Sequence, residues 1–281
     1  MIEETVIIET KQGFNTRDRD KTKFEPSEAI QKGDTATMGK KVLIAGYPKS
    51  GNTWLGYMLA YILGAKYIDL HAPKSKPTWQ EGILALIEGN LSHNSDYSTV
   101  CKTHSQLSDV PDLWSYHKVI HLVRDPRDIA VSLYFFRYYN LPIAQGKPEA
   151  VLSRKNWLIR QLFWKVNILR VARQWPLHTL SWQSFIVRLA KYEDMHAHCS
   201  SVIKGLCDYL EHRYNSAILQ NTVDLFSFER LSGGRSPGVE RQSSFFRKGV
   251  VGDYKNRFGS LDITIMKKYA QREMLSVGYS F

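Results

Sequence analysis

Along the chain, short runs of consecutive apolar residues alternate with stretches in which apolar positions recur every three or four residues. Val42, Leu43, Ile44 and Ala45 form one such run, the pattern of a parallel strand buried on both faces. Gly46 ends it, and Pro48, Ser50, Gly51 and Asn52 supply turn chemistry. Leu55, Met58, Leu59, Ile62 and Leu63 then follow at the spacing of a helix with one buried face. Residues 98–104, 117–124 and 185–192 read as further strands, and residues 79–88, 129–136, 156–175 and 261–277 read as helices. Strands and helices in alternation predict an α/β fold on a parallel sheet. Residues 65–76 read as a loop with His71 at the surface. Residues 137–154 are aromatic and loop-rich, suited equally to a lid, an acceptor wall or core. Residues 1–39 are polar and mixed in charge, a mobile leader in which residues 5–8 can add a short edge strand. Residues 40–281 then form a single domain.

The strand-turn-helix at residues 41–63 aims backbone N–H groups and the positive end of a helix dipole at one spot, which suits a phosphate or sulfate. Gly46 to Thr53 matches the nucleotide-binding pattern G-x-x-x-x-G-K-[ST] except that Asn52 stands at the lysine position. The loop's one lysine, Lys49, lies two residues before the second glycine and approaches an anion from a different side. In an open α/β sheet, functional groups gather beyond the carboxyl ends of the strands, so Lys102, Thr103 and His104 face the same crevice. Arg124 ends the strand at 117–124. Asp125 then suits a helix N-cap, Pro126 the first helical position, and Asp128 stands three residues after the cap. Arg124 with Ser132 suits a second phosphate, or alternatively neutralises Asp125 or Asp128. Glycine-spaced Arg247, Lys248 and Gly249 end a flexible loop and suit closure over an anion.

Composition narrows the setting. The chain has 281 residues, of which 43% are hydrophobic and 12% aromatic, enough for a full core. Its apolar runs fall short of the roughly 20 residues that span a bilayer. The acidic, weakly apolar start is unlike a secretory signal, which places the protein in the cytoplasm. Cys101, Cys199 and Cys207 are dispersed, as reduced structural thiols are. His196, His198 and Cys199 lack converging ligand geometry, so no metal is expected. The net charge of +11 implies an anionic partner, whether nucleic acid, a phosphate-bearing cofactor, an acidic substrate or a membrane surface. The positive residues do not form a run of the kind that marks a nucleic-acid tail.

In this order the motifs resemble the cytosolic-type sulfotransferases that use 3′-phosphoadenosine 5′-phosphosulfate (PAPS). YPKSGNTW at 47–54 is similar to that family's 5′-phosphosulfate loop, KTH at 102–104 to its catalytic segment, and VRDPRDIAVS at 123–132 to its 3′-phosphate site. YEDM at 192–195 and RKGVVGDYKNRF at 247–258 resemble two later segments. The resemblance implies a P-loop-type three-layer fold with a central parallel sheet flanked by helices. It also implies in-line sulfuryl transfer from PAPS to a hydroxyl or amine of a small-molecule acceptor, leaving adenosine 3′,5′-bisphosphate. Neither a nucleic-acid nor a membrane partner is expected. By position, Lys49, Ser50, Gly51, Asn52 and Thr53 hold the phosphosulfate, and Trp54 and Tyr192 contact adenine. Arg124, Ser132, Arg247, Lys248 and Gly249 bind the 3′-phosphate. His104 is the base, with Lys49 and Lys102 beside the transferring group. Phe226-Ser227-Phe228 stands where relatives carry a threonine-serine-phenylalanine contact to adenine, which puts Phe226 and Phe228 in the cofactor set. Tyr254 replaces a usual tryptophan. The family's dimer segment aligns with Lys255, Gly259, Ser260 and Thr264 and keeps only its lysine, so its usual dimer contact is not expected. Compact bacterial enzymes of secondary metabolism, including those sulfating guanidinium alkaloid toxins such as saxitoxins, share this pattern.

Two other readings compete. An ATP-dependent P-loop phosphotransferase fits the fold but not Asn52. A non-catalytic polyanion-binding relative fits the charge but leaves Lys102 and His104 without a purpose.

Overall fold

The computed structural model describes residues 39–71, 78–92, 95–147 and 156–281. The expected leader and its edge strand lie outside the described residues, as does part of the 137–154 stretch. The elements run β1 (Lys40–Ala45), α1 (Asn52–Leu63), β2 (Lys66–Asp69), α2 (Thr78–Glu88), β3 (Tyr97–Thr103), β4 (Lys118–Val123) and α3 (Pro126–Phe135). There follow α4 (Leu141–Ala144), α5 (Trp157–Gln183), β5 (Arg188–Lys191), α6 (Tyr192–Ala197), α7 (Cys199–Tyr209), α8 (Ser216–Leu225), α9 (Phe228–Leu231) and α10 (Ser260–Ser276).

The five strands form one sheet in the order β2-β3-β1-β4-β5, and every pairing is parallel. Side chains alternate across a strand, so successive residues of β1 serve opposite layers. Val42 and Ile44 pack with Leu55 and Leu59 of α1 and with Ile203 and Leu206 of α7. Leu43 and Ala45 pack on the other side with Val119 and Trp182. On that same side Ile168, Val171 and Trp175 of α5 meet Ile129, Met266 and Met274. The result is the expected three-layer α/β arrangement.

Departures from the sequence expectation are local. Residues 65–76 were expected as a loop, yet Lys66–Asp69 forms the edge strand β2, paired with β3. KYID has two apolar residues in four and rests on that pairing. β5 keeps four residues, while Phe185 and Val187 before it pack against the core without joining the ladder. α5 continues past residue 175 to Gln183 through Pro176, because Trp175, His178, Thr179 and Trp182 remain on its buried face. Beyond α3, a π-helical turn at Phe136–Asn140 and α4 take the place of an expected loop.

Candidate active site

The loop after β1 enters α1 through Gly51, whose φ of 99° is left-handed. A Cβ there would lie 2.6 Å from the Tyr192 ring, so only glycine fits both the turn and the neighbour. Lys49 also has a positive φ, 73°, a conformation costing a non-glycine residue about 1–2 kcal/mol. Asn52, at the position of a nucleotide-loop lysine, is buried and donates from Nδ2 to the Gly46 carbonyl at 2.7 Å. It staples the loop to itself. The first-turn N–H groups of α1 are left to face an anion.

His104 follows β3. Its Nδ1 lies 2.8 Å from the Gly46 carbonyl oxygen, which only accepts, and 3.1 Å from Asn52 Nδ2, which only donates and is already spent on Gly46; the shorter contact assigns the proton to Nδ1 and the free lone pair to Nε2. Burial first, then the Lys102 ammonium, push its pKa down to about 3, which keeps the imidazole neutral at pH 7. Lys102 pairs with Asp69 at 2.7 Å. Burial lowers its pKa against the pull of that carboxylate.

The remaining cations converge on the same crevice. The Lys49 ammonium lies over the rings of Phe136 and Phe245, at 4.5 and 4.0 Å from their centroids. Burial, then Arg124, Lys102 and Arg247, lower its pKa to about 7. Arg124 donates to the carbonyls of Lys49 at 3.2 Å and Val250 at 3.4 Å, and its guanidinium lies 4.0 Å from the Tyr192 centroid. Asp125 is paired instead with Arg127 and caps α3 by accepting the Arg127 N–H at 2.8 Å. Asp128 accepts the N–H groups of Gly252 and Tyr254, which fixes the 247–258 segment to α3. Arg247 and Lys248 share buried Asp253, at 2.5 and 2.6 Å. Gly249, with φ 63°, lies against Phe228, and its carbonyl oxygen accepts from His196 Nε2 at 2.9 Å.

Trp54 and Tyr192 meet edge to face, with centroids 5.8 Å apart, and Trp54 Nε1 donates to the Phe226 carbonyl at 2.8 Å. The Phe226 side chain points elsewhere, fully buried against Tyr57 and Tyr61. Of the two phenylalanines, Phe228 is the one beside the basic loop. Ser132 is half-buried on α3 and Thr53 on the first turn of α1. The buried Ser50 hydroxyl and the Nε atoms of Arg124 and Arg247 have no hydrogen-bond partner among the described residues. Buried donors are ordinarily satisfied, so three orphans around one crevice fit a site that holds an anionic nucleotide.

Asp69 and His71 were missed by sequence reasoning. Asp69 stands in register with Lys102 across β2 and β3, and His71 stacks on His104 with centroids 5.6 Å apart. His71 is exposed, as expected of it, but its Nε2 lies 3.1 Å from Thr103 Oγ1. Phe136 and Phe245 were missed because nothing local marks them as neighbours of Lys49. Among the described residues, no group of three or more His, Cys, Asp or Glu is arranged to hold a metal.

A family model described as "Sulfotransferase domain" matches residues 39–278. Flavonol 3-sulfotransferase of Flaveria bidentis is 25% identical over 271 residues, covering 84% of this chain and 82% of that protein. Sulfotransferase 1B1 of Canis lupus familiaris is 28% identical over 242 residues, covering 77% of each. Among solved structures, mouse sulfotransferase SULT7A1 complexed with PAP superposes with a TM-score of 0.59 at 20% identity, covering 84% of each chain.

Proposed function

Since this chain belongs to the sulfotransferase domain family, we propose that it transfers a sulfuryl group from PAPS to a hydroxyl or amine of a small-molecule acceptor. The observation that carries the reading is the meeting of three features at the carboxyl ends of β1, β3 and β4. These are the stapled loop with Lys49, an imidazole whose free nitrogen is Nε2, and Arg124 among orphaned donors. PAPS, when bound, supplies a sulfuryl group activated by attachment to a phosphate that leaves as adenosine 3′,5′-bisphosphate.

The chain's own residues divide the work. The α1 amides, Ser50, Thr53 and Lys49 hold the phosphosulfate and stabilise charge on the departing phosphate. Trp54 and Tyr192 flank the adenine, with Phe228 nearer than Phe226. Arg124 and Ser132 bind the 3′-phosphate together with Arg247, Lys248 and Gly249, whose loop Asp253 and Asp128 keep in shape. His104 takes the acceptor proton on Nε2, because Nδ1 is committed to Gly46. A bound polyanion raises the pKa of a neighbouring imidazole, which strengthens the base when it is needed. Asp69 keeps Lys102 charged and directed at the crevice.

His104→Ala tests the assignment. Bisphosphate binding should persist while turnover falls by about 10²–10⁴, the usual worth of a positioned base. Full activity would remove His104 from the role. Thermal-shift titration separates the donors: stabilisation by adenosine 3′,5′-bisphosphate but not by ATP with magnesium is expected. A flavonol name on one relative points to hydroxyl acceptors of modest size. An acceptor screen read by mass spectrometry, spanning phenols, steroids and guanidinium alkaloids of secondary metabolism, identifies the compound and whether oxygen or nitrogen is sulfated.

A further inference from the structure

Helix α5 carries a second surface on its outward side. Leu158, Leu162, Val166, Leu169, Leu177 and Leu180 are exposed, and their spacing places them on one stripe that exposed Arg173 interrupts between Leu169 and Leu177. At the helical rise the stripe is roughly 33 Å long. It is not the core face: Ile168, Val171, Ala172 and Trp175 of the same helix are fully buried on the other side. Other large apolar side chains are exposed near its ends. Trp157 is 61% exposed at the start of α5, while Trp114 and Ile186 are 86% and 92% exposed near its finish. The Trp114 ring rests on Phe185, two residues beyond α5. An apolar strip of this extent marks a contact surface more often than chance exposure.

The charge around the strip selects the partner. Over its 27 residues α5 contains Arg160, Lys165, Arg170 and Arg173 and no aspartate or glutamate. Lys165 is paired with Asp262, but Arg170 and Arg173 stand exposed. The neighbouring α10 adds exposed Lys267, Lys268 and Arg272. Arg173 and Lys268 both lie over Tyr269 of α10, at 5.9 and 5.4 Å, so the basic residues of the two helices are contiguous. A second copy docked through α5 would set arginine against arginine with no α5 acid to answer, in a chain of net charge +11.

We propose that the α5 stripe is a peripheral docking surface for an anionic phospholipid bilayer. Its leucines and Trp114 enter the headgroup boundary, and the arginines and lysines of α5 and α10 meet lipid phosphates. This mode needs no spanning run, and no helix among the described residues is long and apolar enough to cross a membrane. It goes beyond the sequence expectation, which named no membrane partner, and it is independent of the acceptor's identity.

Vesicle sedimentation tests it, using phosphatidylcholine vesicles with and without phosphatidylserine. The protein should sediment with the phosphatidylserine vesicles, lose that binding as salt is raised, and show a blue-shifted tryptophan emission when bound. Leu162→Glu/Leu169→Glu should lower partitioning at least about tenfold by placing charge in the boundary. Arg170→Gln/Arg173→Gln should do the same while keeping every apolar side chain, since each basic residue near an anionic surface is worth about fivefold. Both variants change exposed side chains, and retained circular dichroism and bisphosphate binding verify their fold. The proposal is overturned if phosphatidylserine makes no difference, or if both double variants bind vesicles like the parent. A dimer in light scattering that Leu162→Glu/Leu169→Glu dissolves, without vesicle binding by the parent, assigns the stripe to a second copy and likewise overturns it.

Discussion

Asp253→Asn probes how the basic loop is held before any anion arrives. Asp253 is 3% exposed and accepts from Arg247 at 2.5 Å, Lys248 at 2.6 Å and Arg257 at 3.4 Å. Burial alone would raise its pKa, but the hydrogen bonds from Lys248 and Arg247 outweigh it and hold the carboxyl at about 2. Against an ordinary carboxylate, that depression corresponds to about 2 kcal/mol of folding stability. The sign follows from the direction. The contribution is present in full above pH ~4 and is lost as the pH falls toward 2. Asparagine removes it at neutral pH, leaves Lys248 without its carboxylate and leaves Arg247 and Arg257 to share Glu240 alone. In a chain of 281 residues the loss should lower the melting temperature by roughly 3–4 °C. Circular dichroism melts of parent and variant at pH 7, repeated in steps down from pH 4, are the assay. The gap should narrow as the parent's carboxylate is protonated, and adenosine 3′,5′-bisphosphate should restore part of the variant's stability by supplying the missing negative charge. A variant within about 0.5 kcal/mol of the parent at pH 7, or a gap that does not narrow in acid, would refute the reasoning.

Three further outcomes are expected. Gly51→Ala must place a methyl group against Tyr192 at a left-handed φ, so bisphosphate affinity measured by calorimetry should fall at least about tenfold. Burial pushes His121 down to about 3 and His178 to about 4, so the neutral rings stabilise the fold above pH ~6.5 and that support is lost as the pH drops through this range. Urea midpoints should therefore decline from pH 6.5 to 4, and His178→Gln should flatten the decline; an unchanged slope would count against it. With the free Lys49 ammonium at about 7, bisphosphate affinity should hold steady below pH 7 and weaken by up to about tenfold per unit above it. A dissociation constant flat from pH 6 to 9 would contradict that coupling.

What could be read from the sequence was whatever local chemistry enforces. β1, the turn at Gly51 and α1 were legible because a doubly buried strand must be a continuous apolar run and a sharp strand-to-helix turn needs its glycine. Asp125 and Pro126 announced the start of α3 for the same reason. β2 was not legible, since a four-residue edge strand owes its existence to β3. With β2 went Asp69 and His71, which reach His104 and Lys102 only through that pairing. Lys49 was recognised as the loop's cation, yet the rings around it come from residue 136 and residue 245, and no local pattern joins them. Phe226 was expected at the adenine, yet its ring is held in the core and only its carbonyl reaches the site's edge, accepting from Trp54.

Arg124 has a consequence for the order in which the site responds. Its guanidinium ties the Lys49 carbonyl on one loop to the Val250 carbonyl on another, 126 residues away from Arg124 in the chain. The two loops thus share one hinge pin. Amide hydrogen exchange should slow in both together when a ligand engages either, so that a fragment carrying only the 3′-phosphate would protect amides around the phosphosulfate loop that it never touches.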